Sequence, residues 1–217
     1  MVSINHAEPL PVEEPESPAP APSRRVRLLV VIGAMLIFAL VVLFVLTNNN
    51  PFAVTTTASP EVGFARDMIV HHSQAVVLAL ILYDHTQNAE LHTIALDIIL
   101  SQQNQIGQMQ GWLYLWNLPM SGPDLPMAWM NAPTQGLMPG MATDEQIAAL
   151  RTATGTNLDR MFIQLMIPHH QSAIHMAQTI MGITNIPAVK NLARSMIESQ
   201  TGEIKVLQSI LDQLGTS

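Results

Sequence analysis

Apolar residues recur at intervals of three and four positions in four long segments of this chain, a spacing typical of amphipathic helices. The four segments are 60–84, 89–116, 157–181 and the stretch from 187 onward. Ser59-Pro60-Glu61 has the composition of a helix start, and Gly182 has that of a C′ residue just past a helix end. No segment shows a convincing strand alternation, so the pattern predicts an all-α fold.

The second half of this pattern repeats the first at an offset of 98 residues. Phe64 recurs as Phe162, and the pair His71-His72 recurs as His169-His170. The chain is therefore interpreted as a tandem duplication of a helix pair. The first pair occupies 60–116, and the second occupies 143–217 with a short leading helix that starts at a predicted capping box, Thr143 to Gln146, and runs through Arg151. Two such pairs predict a four-helix bundle.

The segment before the repeats has three parts. Residues 1–23 are acidic and proline-rich, which predicts a disordered tail. Residues 24–47 are predicted to form a transmembrane signal-anchor helix, because 28–46 is uncharged and long enough to cross a bilayer. The arginines before it indicate a cytoplasmic N-terminus and an extracytoplasmic (periplasmic or cell-surface) bundle, with 48–59 as a linker. A cleaved signal peptide is the alternative, although both its charged and apolar parts would be unusually long.

Composition narrows the possible chemistry. The chain has no cysteine, which excludes disulfides and thiolate metal sites, and its formal net charge of −7 argues against a nucleic-acid partner. It has 14 methionines and 8 histidines, so a metal would have to be held by imidazole, thioether, carboxylate or amide groups.

The two histidine pairs are the main candidate site. Met68 lies three and four residues before His71 and His72, so one helix surface carries both imidazole and thioether. Met166 stands in the same relation to the second pair, which Met161 and His175 flank at helical spacing. If the repeats pack about a pseudo-twofold axis, the pairs His71-His72 and His169-His170 converge. Such a donor set favours a soft or borderline ion, copper above all.

The second helix of each pair places polar residues where an apolar stripe would be expected. Gln102 and Gln200 are central, and Gln105 and Glu203 follow one turn later. These groups are candidates to accept hydrogen bonds from metal-binding imidazoles. Because Glu203 can carry a charge and Gln105 cannot, the second half is predicted to be the better site.

The connection 117–142 is rich in methionine, proline and glycine. Its methionines are Met120, Met127, Met130, Met138 and Met141. Two interpretations stay open: the loop captures metal, chiefly through Met138 and Met141, or it forms a hydrophobic lid over the bundle. Pro168, directly before the second histidine pair, is predicted to kink its helix, whereas Val70 occupies the matching position in the first copy.

Two alternatives compete with a metal site. The histidines and glutamines could form a hydrogen-bonded core network that binds nothing. The segment 75–83, apolar all round, could instead dock against a second copy or a membrane complex, which would make the protein an accessory subunit. His85 and His92 lie near a turn and are expected to face solvent. An enzyme is not expected, since no glutamate is followed by histidine at i+3 as di-iron bundles require.

The segments around the second histidine pair resemble a known family. FIQLMIPHHQSAIHMA, preceded by MPGMATDEQIAALRTATG and followed by the SQTGEI segment, closely resembles the domain-of-unknown-function 305 family over roughly 61–214. The resemblance implies an exported, ferritin-like four-helix bundle, with periplasmic copper binding suggested for some members. By position it implies a set of functional residues: Met166, His169, His170, Met176, Gln200, Glu203, Met138 and Met141, with Met68, His71, His72 and Gln102 in the first copy. Gln105 departs from this pattern, because Glu203 occupies its position in the second copy.

Overall fold

The computed structural model describes residues 23–48 and 56–215. The helices are α1 (Arg24–Asn48), α2 (Pro60–His85), α3 (Ala89–Leu115), α4 (Asp144–Thr152), α5 (Gly155–Ile183) and α6 (Pro187–Gly215). A single 3-10 turn, Ala128–Met130, interrupts the long loop. No strand occurs among the described residues, which confirms the predicted all-α class. Nearly all of the predicted tail and most of the predicted linker lie outside those residues.

The α1 helix belongs to a separate unit of the chain from the repeats. Its apolar stretch Leu28–Phe44 carries large side chains that are mostly exposed. Within 23–48 and 56–215, α2 is the one helix that is long and apolar enough to cross a membrane, but 61% of its apolar window is buried inside the protein. The α2 helix is therefore a core helix, and the membrane anchor at 28–46 remains a prediction.

Local capping explains where several helices begin. The Asn88 side chain accepts hydrogen bonds from the backbone N–H groups of Glu90 and Leu91 at the start of α3. At the start of α4, the Thr143 hydroxyl accepts from the Gln146 N–H, while the Gln146 side chain accepts from the Thr143 N–H. This is the predicted capping box.

The α5 helix is longer at both ends than the predicted segment 157–181. It begins two residues earlier than expected, at Gly155 with φ +55, and it continues through Gly182 to Ile183. The prediction of Gly182 as a C′ residue is wrong, because the Thr184 N–H closes the helix on the Ile180 carbonyl in an extended conformation. The end of α5 therefore needs no glycine in the left-handed conformation. Pro168 lies inside this single helix.

Two equivalent hydrogen bonds fix how the repeats pack. The Thr86 hydroxyl, after the end of α2, donates to Asp159 near the start of α5 at 2.7 Å. The Thr184 hydroxyl, after the end of α5, donates to Glu61 near the start of α2 at 2.6 Å. Both the threonines and the carboxylates are 98 residues apart, so α2 and α5 run antiparallel about a pseudo-twofold axis. The α3 helix packs against α2, and α6 packs against α5.

The core of these four helices has two apolar ends. One end, here called the methionine-rich end, contains six buried methionines: Met68, Met109, Met127, Met138, Met176 and Met196. The other, here called the aliphatic end, contains mainly leucine, isoleucine and alanine, with Met166 as its buried methionine. The repeat offset relates the helical residues of one end to those of the other. The histidines and glutamines of the duplicated motif lie between them in sequence on each helix.

The segment 75–83 is part of the aliphatic end. Six of its nine residues are buried, and Leu80 alone is exposed. The docking role considered for this segment is therefore wrong, because its apolar surface is already covered by the other helices.

Candidate metal centre

The four paired histidines lie at the middle of α2 and α5, where the pseudo-twofold axis passes. Each of the four side chains is fully buried. The rings of His71 and His169 pack on each other with centroids 3.8 Å apart and planes tilted by 37°. The two pairs therefore converge in the interior, because equivalent positions on antiparallel helices meet at the axis.

The outer histidine of each pair is bonded to the second helix of its own repeat. His72 Nε2 lies 2.7 Å from Gln105 Oε1, and His170 Nε2 lies 2.6 Å from Glu203 Oε2. A carboxylate oxygen can only accept, so His170 donates through Nε2, and in a neutral ring the lone pair is then on Nδ1. The Gln105 oxygen likewise accepts from His72 Nε2, which leaves the lone pair of a neutral His72 ring on Nδ1. Gln105 and Glu203 thus make the predicted supporting contacts and orient both rings alike, whereas the predicted contacts of Gln102 and Gln200 are not made.

The four histidines form a polar layer with Gln102, Gln105, Gln200 and Glu203, here called the histidine layer. Most of the remaining polar atoms in this layer have no hydrogen-bond partner. Ten of the twelve buried, unpartnered side-chain atoms in the described part of the chain belong to just six residues: His71, His72, Gln102, His169, His170 and Gln200. Each unsatisfied buried group costs about 1–3 kcal/mol. A hydrogen-bonded core network that binds nothing would not leave so many buried polar atoms without partners. Only the bonds of His72 to Gln105 and of His170 to Glu203 fit that alternative.

Burial keeps three of these four rings neutral. Desolvation lowers the pKa of His72 to about 3, with a further contribution from His71 and an opposing one from the Gln105 hydrogen bond. Desolvation also lowers the pKa of His71 to about 4, and the nearby Pro139 backbone opposes this. The pKa of His169 falls well below its ordinary value for the same main reason, with the other three histidines adding to it. Neutral imidazoles carry the lone pair that a metal ion needs.

The layer alone is not a complete metal site. In the described ranges, no three histidine or carboxylate side chains are arranged so that they could hold a metal together. A bound ion would therefore need thioether or amide donors in addition to imidazole, or a change in ring orientation. Thioether and imidazole together suit Cu(I) better than a hard cation.

The predicted methionine ligands divide between the two ends of the core. Met68, Met138 and Met176 are buried in the methionine-rich end, and Met141 packs against it half-buried. Met166, the repeat equivalent of Met68, is buried in the aliphatic end. His175 is exposed, so the structure does not bring it together with the buried histidines.

The loop between the repeats lies directly on the histidine layer. Gly140 has φ +78, and a Cβ at this position would clash with the Pro168 carbonyl oxygen and stand 3.0 Å from the His169 Cα. Only glycine fits this conformation and this close approach. The turn from Met138 to Met141 therefore covers the second histidine pair. Four of the five loop methionines pack on the methionine-rich end, as a lid would, whereas Met120 is exposed.

Three side chains of α2 hold this loop in place, and the sequence analysis missed all three. Asp67 accepts from the Met127 N–H at 2.7 Å and from the Trp129 ring N–H at 2.9 Å. Gln74 makes two hydrogen bonds with the backbone of Ala142, and Arg66 donates to the Pro119 carbonyl. Burial is the main effect on Asp67 and raises the pKa of its carboxyl.

A sequence signal for these docking residues existed at the positions where the repeats differ. In the second copy, Gln164, Leu165 and Ser172 stand in place of Arg66, Asp67 and Gln74. Asp67 gives the clearest signal, because its counterpart Leu165 is apolar, whereas Arg66 and Gln74 are replaced by smaller polar residues. A charged residue present in only one copy of a duplicated helix indicates a contact that only one copy makes.

The remaining histidines lie away from the layer. His85 is exposed, as expected. His92 is half-buried, because its ring stacks on Tyr83 with centroids 4.0 Å apart, so the expectation that it faces solvent is only partly met.

Comparison with known proteins gives a consistent family. The family model described as "Domain of unknown function (DUF305)" matches residues 61–211. An uncharacterized protein, L153, of Acanthamoeba polyphaga mimivirus is 40% identical over 67 residues, which is 31% of this chain and 43% of that protein. The chain thus spans less than half of this relative.

Several solved structures are also similar. A DUF305 protein from Streptomyces coelicolor, named as a candidate secreted protein, is 42% identical, with a TM-score of 0.71 over 74% of this chain and 96% of its own. A DUF305 fragment from Deinococcus radiodurans is 34% identical, with a TM-score of 0.60 over 71% of this chain and 96% of its own. CopM in its Cu(I)-bound form is 30% identical, with a TM-score of 0.54 over 71% and 96%, and CopM has also been solved with Ag and with Cu(II).

Proposed function

The chain belongs to the DUF305 family, and from that premise we propose that it is a membrane-anchored, extracytoplasmic protein that binds copper. In this proposal a ferritin-like bundle of α2, α3, α5 and α6 holds the ion for sequestration or handling, and it catalyses no reaction. The observation that carries the proposal is the buried layer of four imidazoles, in which six of the eight ring nitrogens lack a hydrogen-bond partner.

The donor set supports copper over other metals. His71 and His169 have no partner on either ring nitrogen, and His72 and His170 each present an unpartnered Nδ1. Met68, Met138 and Met176 belong to the apolar end beside this layer, so thioethers are the nearest additional class of soft donor. Soft and imidazole donors together favour Cu(I), and the similarity to CopM, solved with Cu(I) and Ag, agrees with this preference.

Each part of the chain has a distinct role in this proposal. Gln105 and Glu203 hold the outer histidines in one tautomer and orientation, which is what supporting residues do for metal-binding imidazoles. The turn from Met138 to Met141 excludes water from His169 and controls access from the loop side. The copper ion is the cargo of the site.

The location follows from the segment before the bundle. The apolar stretch at 28–46, preceded by arginines, supports a single membrane crossing with the N-terminus in the cytoplasm. A copper protein without cysteine suits an oxidising compartment, where imidazole and thioether are the durable soft donors. The candidate secreted relative from Streptomyces supports an exported position for the bundle.

The test is anaerobic Cu(I) titration of the full-length chain in detergent, in competition with a chromophoric Cu(I) chelator. His71→Ala combined with His169→Ala should weaken Cu(I) binding at least about a hundredfold, because two ligands are lost and each tenfold loss corresponds to about 1.4 kcal/mol. The matched control is His85→Ala combined with His175→Ala, which removes two exposed histidines and should leave the affinity unchanged. Equal affinity in the two double variants would overturn the proposal.

A further inference from the structure

One exposed face of α3 has the residue spacing of a helix–helix seam. Positions 96, 100, 103, 107, 110 and 114 alternate in steps of four and three, which places them on one narrow stripe. All six are exposed, including Leu100 at 62% and Tyr114 at 80%. The stripe, here called the α3 seam, consists of Leu96, Leu100, Gln103, Gly107, Gln110 and Tyr114.

The second repeat provides an internal reference for this face. At the offset of 98, α6 carries Arg194, Glu198, Thr201, Lys205, Gln208 and Asp212. Four of these residues are charged and exposed, as expected of a helix surface in water. The equivalent face of the second repeat, on α6, is therefore solvated, while α3 has leucine, glycine and tyrosine at the corresponding positions. Helix packing inside the protein does not explain this difference, since all residues of both faces are exposed except the half-buried Thr201.

The α3 seam is self-complementary in an antiparallel pair. In an antiparallel pair centred on residue 105, Leu96 lies opposite Tyr114 of a second copy, and Leu100 lies opposite Gln110. Gln103 then lies opposite Gly107, where a helix glycine with nothing within 4 Å leaves room for the longer side chain. A parallel pair would instead oppose the two Gly107 residues and leave a gap. Glycine within a helix costs roughly 0.5–1 kcal/mol relative to alanine, so an empty, exposed Gly107 has no local benefit.

We propose that α3 is the contact between two copies of this chain, paired antiparallel through the α3 seam. Charge supports a second copy as the occupant: each molecule has a formal net charge of −7, and pairing through the seam, which has no charged residue, brings no like charges into contact. Asp97 is the one carboxylate beside the stripe on this stretch of α3. In the antiparallel pair the two Asp97 residues stand about 24 Å apart along the axis, well beyond the screening length of about 8 Å.

Cysteine cross-linking tests the pairing directly, because the natural chain contains no cysteine. Full-length Leu96→Cys and Tyr114→Cys variants are co-expressed in one membrane, oxidised with diamide and separated without reducing agent. The antiparallel pair predicts a disulfide-linked dimer in the co-expressed sample, at least tenfold above either variant alone. Two copies of the Leu96→Cys variant would hold their thiols about 27 Å apart along the axis, too far for a disulfide.

The α6 face provides the matched control. Co-expressed Arg194→Cys and Asp212→Cys variants occupy the equivalent positions of the second repeat and should give no dimer. Adding Leu100→Glu, which copies Glu198 of α6, to the α3 cysteine pair should reduce the cross-linked fraction several-fold. The circular dichroism and Cu(I) affinity of Leu100→Glu should stay those of the natural chain, so this result is independent of the metal site.

Three outcomes would overturn the proposal. A co-expressed α3 pair that cross-links no more than the α6 pair would remove the interface. Self-linking of each single variant at the level of the mixture would replace antiparallel pairing with parallel or random contact. Cross-linking of either cysteine to a protein of different mass would identify a different partner as the occupant of the seam.

Discussion

The two ends of the core are built from the same repeated positions but differ in their content of methionine. Met176, Met196 and Met109 of the methionine-rich end correspond to Leu78, Ile98 and Leu207 of the aliphatic end. Leucine and methionine have similar volume and hydrophobicity, so both choices fill the core about equally well. At these three positions the difference therefore concerns sulfur more than side-chain volume. In the proposed function, this sulfur gives one end a part in copper binding that the other end does not share.

The loop reinforces the same contrast. It is held on α2 by Asp67 and Gln74, and its Trp129 ring meets Phe64 edge-on with centroids 5.6 Å apart. The additional methionines and the covering loop are thus both found at the methionine-rich end. Four predictions test this contrast, and the first concerns the polar layer that both ends share.

The largest effect is expected from acid. In the metal-free protein, unfolding returns the pKa of His71 and His72 to about 6.5 from folded values of about 4 and about 3. The unfolded chain therefore takes up protons first, and the free energy of unfolding decreases as pH falls from about 6.5 to about 4. At about 1.4 kcal/mol per pKa unit, several kcal/mol are lost.

Urea unfolding at pH 7.5 and pH 5 measures this loss. His71→Gln with His169→Gln should reduce the pH dependence, because two of the three rings with a lowered pKa are removed. His85→Gln with His175→Gln should leave it intact. A natural chain that is equally stable at both pH values would contradict the prediction.

The next effect compares equivalent aromatic residues. Phe64→Ala and Phe162→Ala each remove a fully buried ring and should each cost about 3–5 kcal/mol. Phe64→Ala should cost about 1 kcal/mol more, since it also loses the edge-on contact with Trp129. Urea unfolding at pH 7.5 gives both values. A larger loss for Phe162→Ala would show that the loop adds no stability to its end.

A smaller effect separates the two supporting residues of the histidine layer. Glu203→Gln should weaken Cu(I) binding about tenfold, which is the low end of the usual cost of losing such a partner. Gln105→Glu gives the first repeat the residue of the second and should not weaken binding. Chelator competition measures both variants. Unchanged affinity in Glu203→Gln would remove the claim that the second half is the better site.

The smallest effect is expected from exchanging residues between the ends. Met176→Leu should reduce Cu(I) affinity less than Glu203→Gln does, while changing the free energy of unfolding by less than about 1.5 kcal/mol. The matched exchange Leu78→Met adds a thioether to the aliphatic end and should leave the affinity unchanged. If both exchanges have the same effect on Cu(I) binding, the sulfur asymmetry has no role in the metal site.

Much of the architecture could be predicted because the duplication carries three-dimensional information. An offset of 98 residues identified which positions are equivalent, and antiparallel packing of equivalent helices brings equivalent residues to a common axis. The burial of His71 and His169 and the partners Gln105 and Glu203 follow from that relation. The helix bounds of α2, α3 and α6 agree with their caps and proline starts to within a residue.

The parts that escaped prediction depend on contacts between distant segments. Gly182 looked like a helix end, but the Thr184 N–H closes α5 without it. His175 has helical spacing from the second pair, yet α5 turns it toward solvent, because each helix has only one inward face. Asp67 and Gln74 act on loop residues about 60 positions away, and no local pattern marks such contacts.

The two threonine–carboxylate bonds at the ends of α2 and α5 have an evolutionary consequence. Each bond joins one repeat to the other, so a single repeat beside an identical copy would make both bonds at once, as a symmetric pair of separate chains. Joining the copies into one polypeptide preserves that geometry and also removes the requirement that both halves carry the same side chains. After such a fusion, one half can gain Asp67 and a covering loop, while the other half keeps Leu165 and stays without a covering loop.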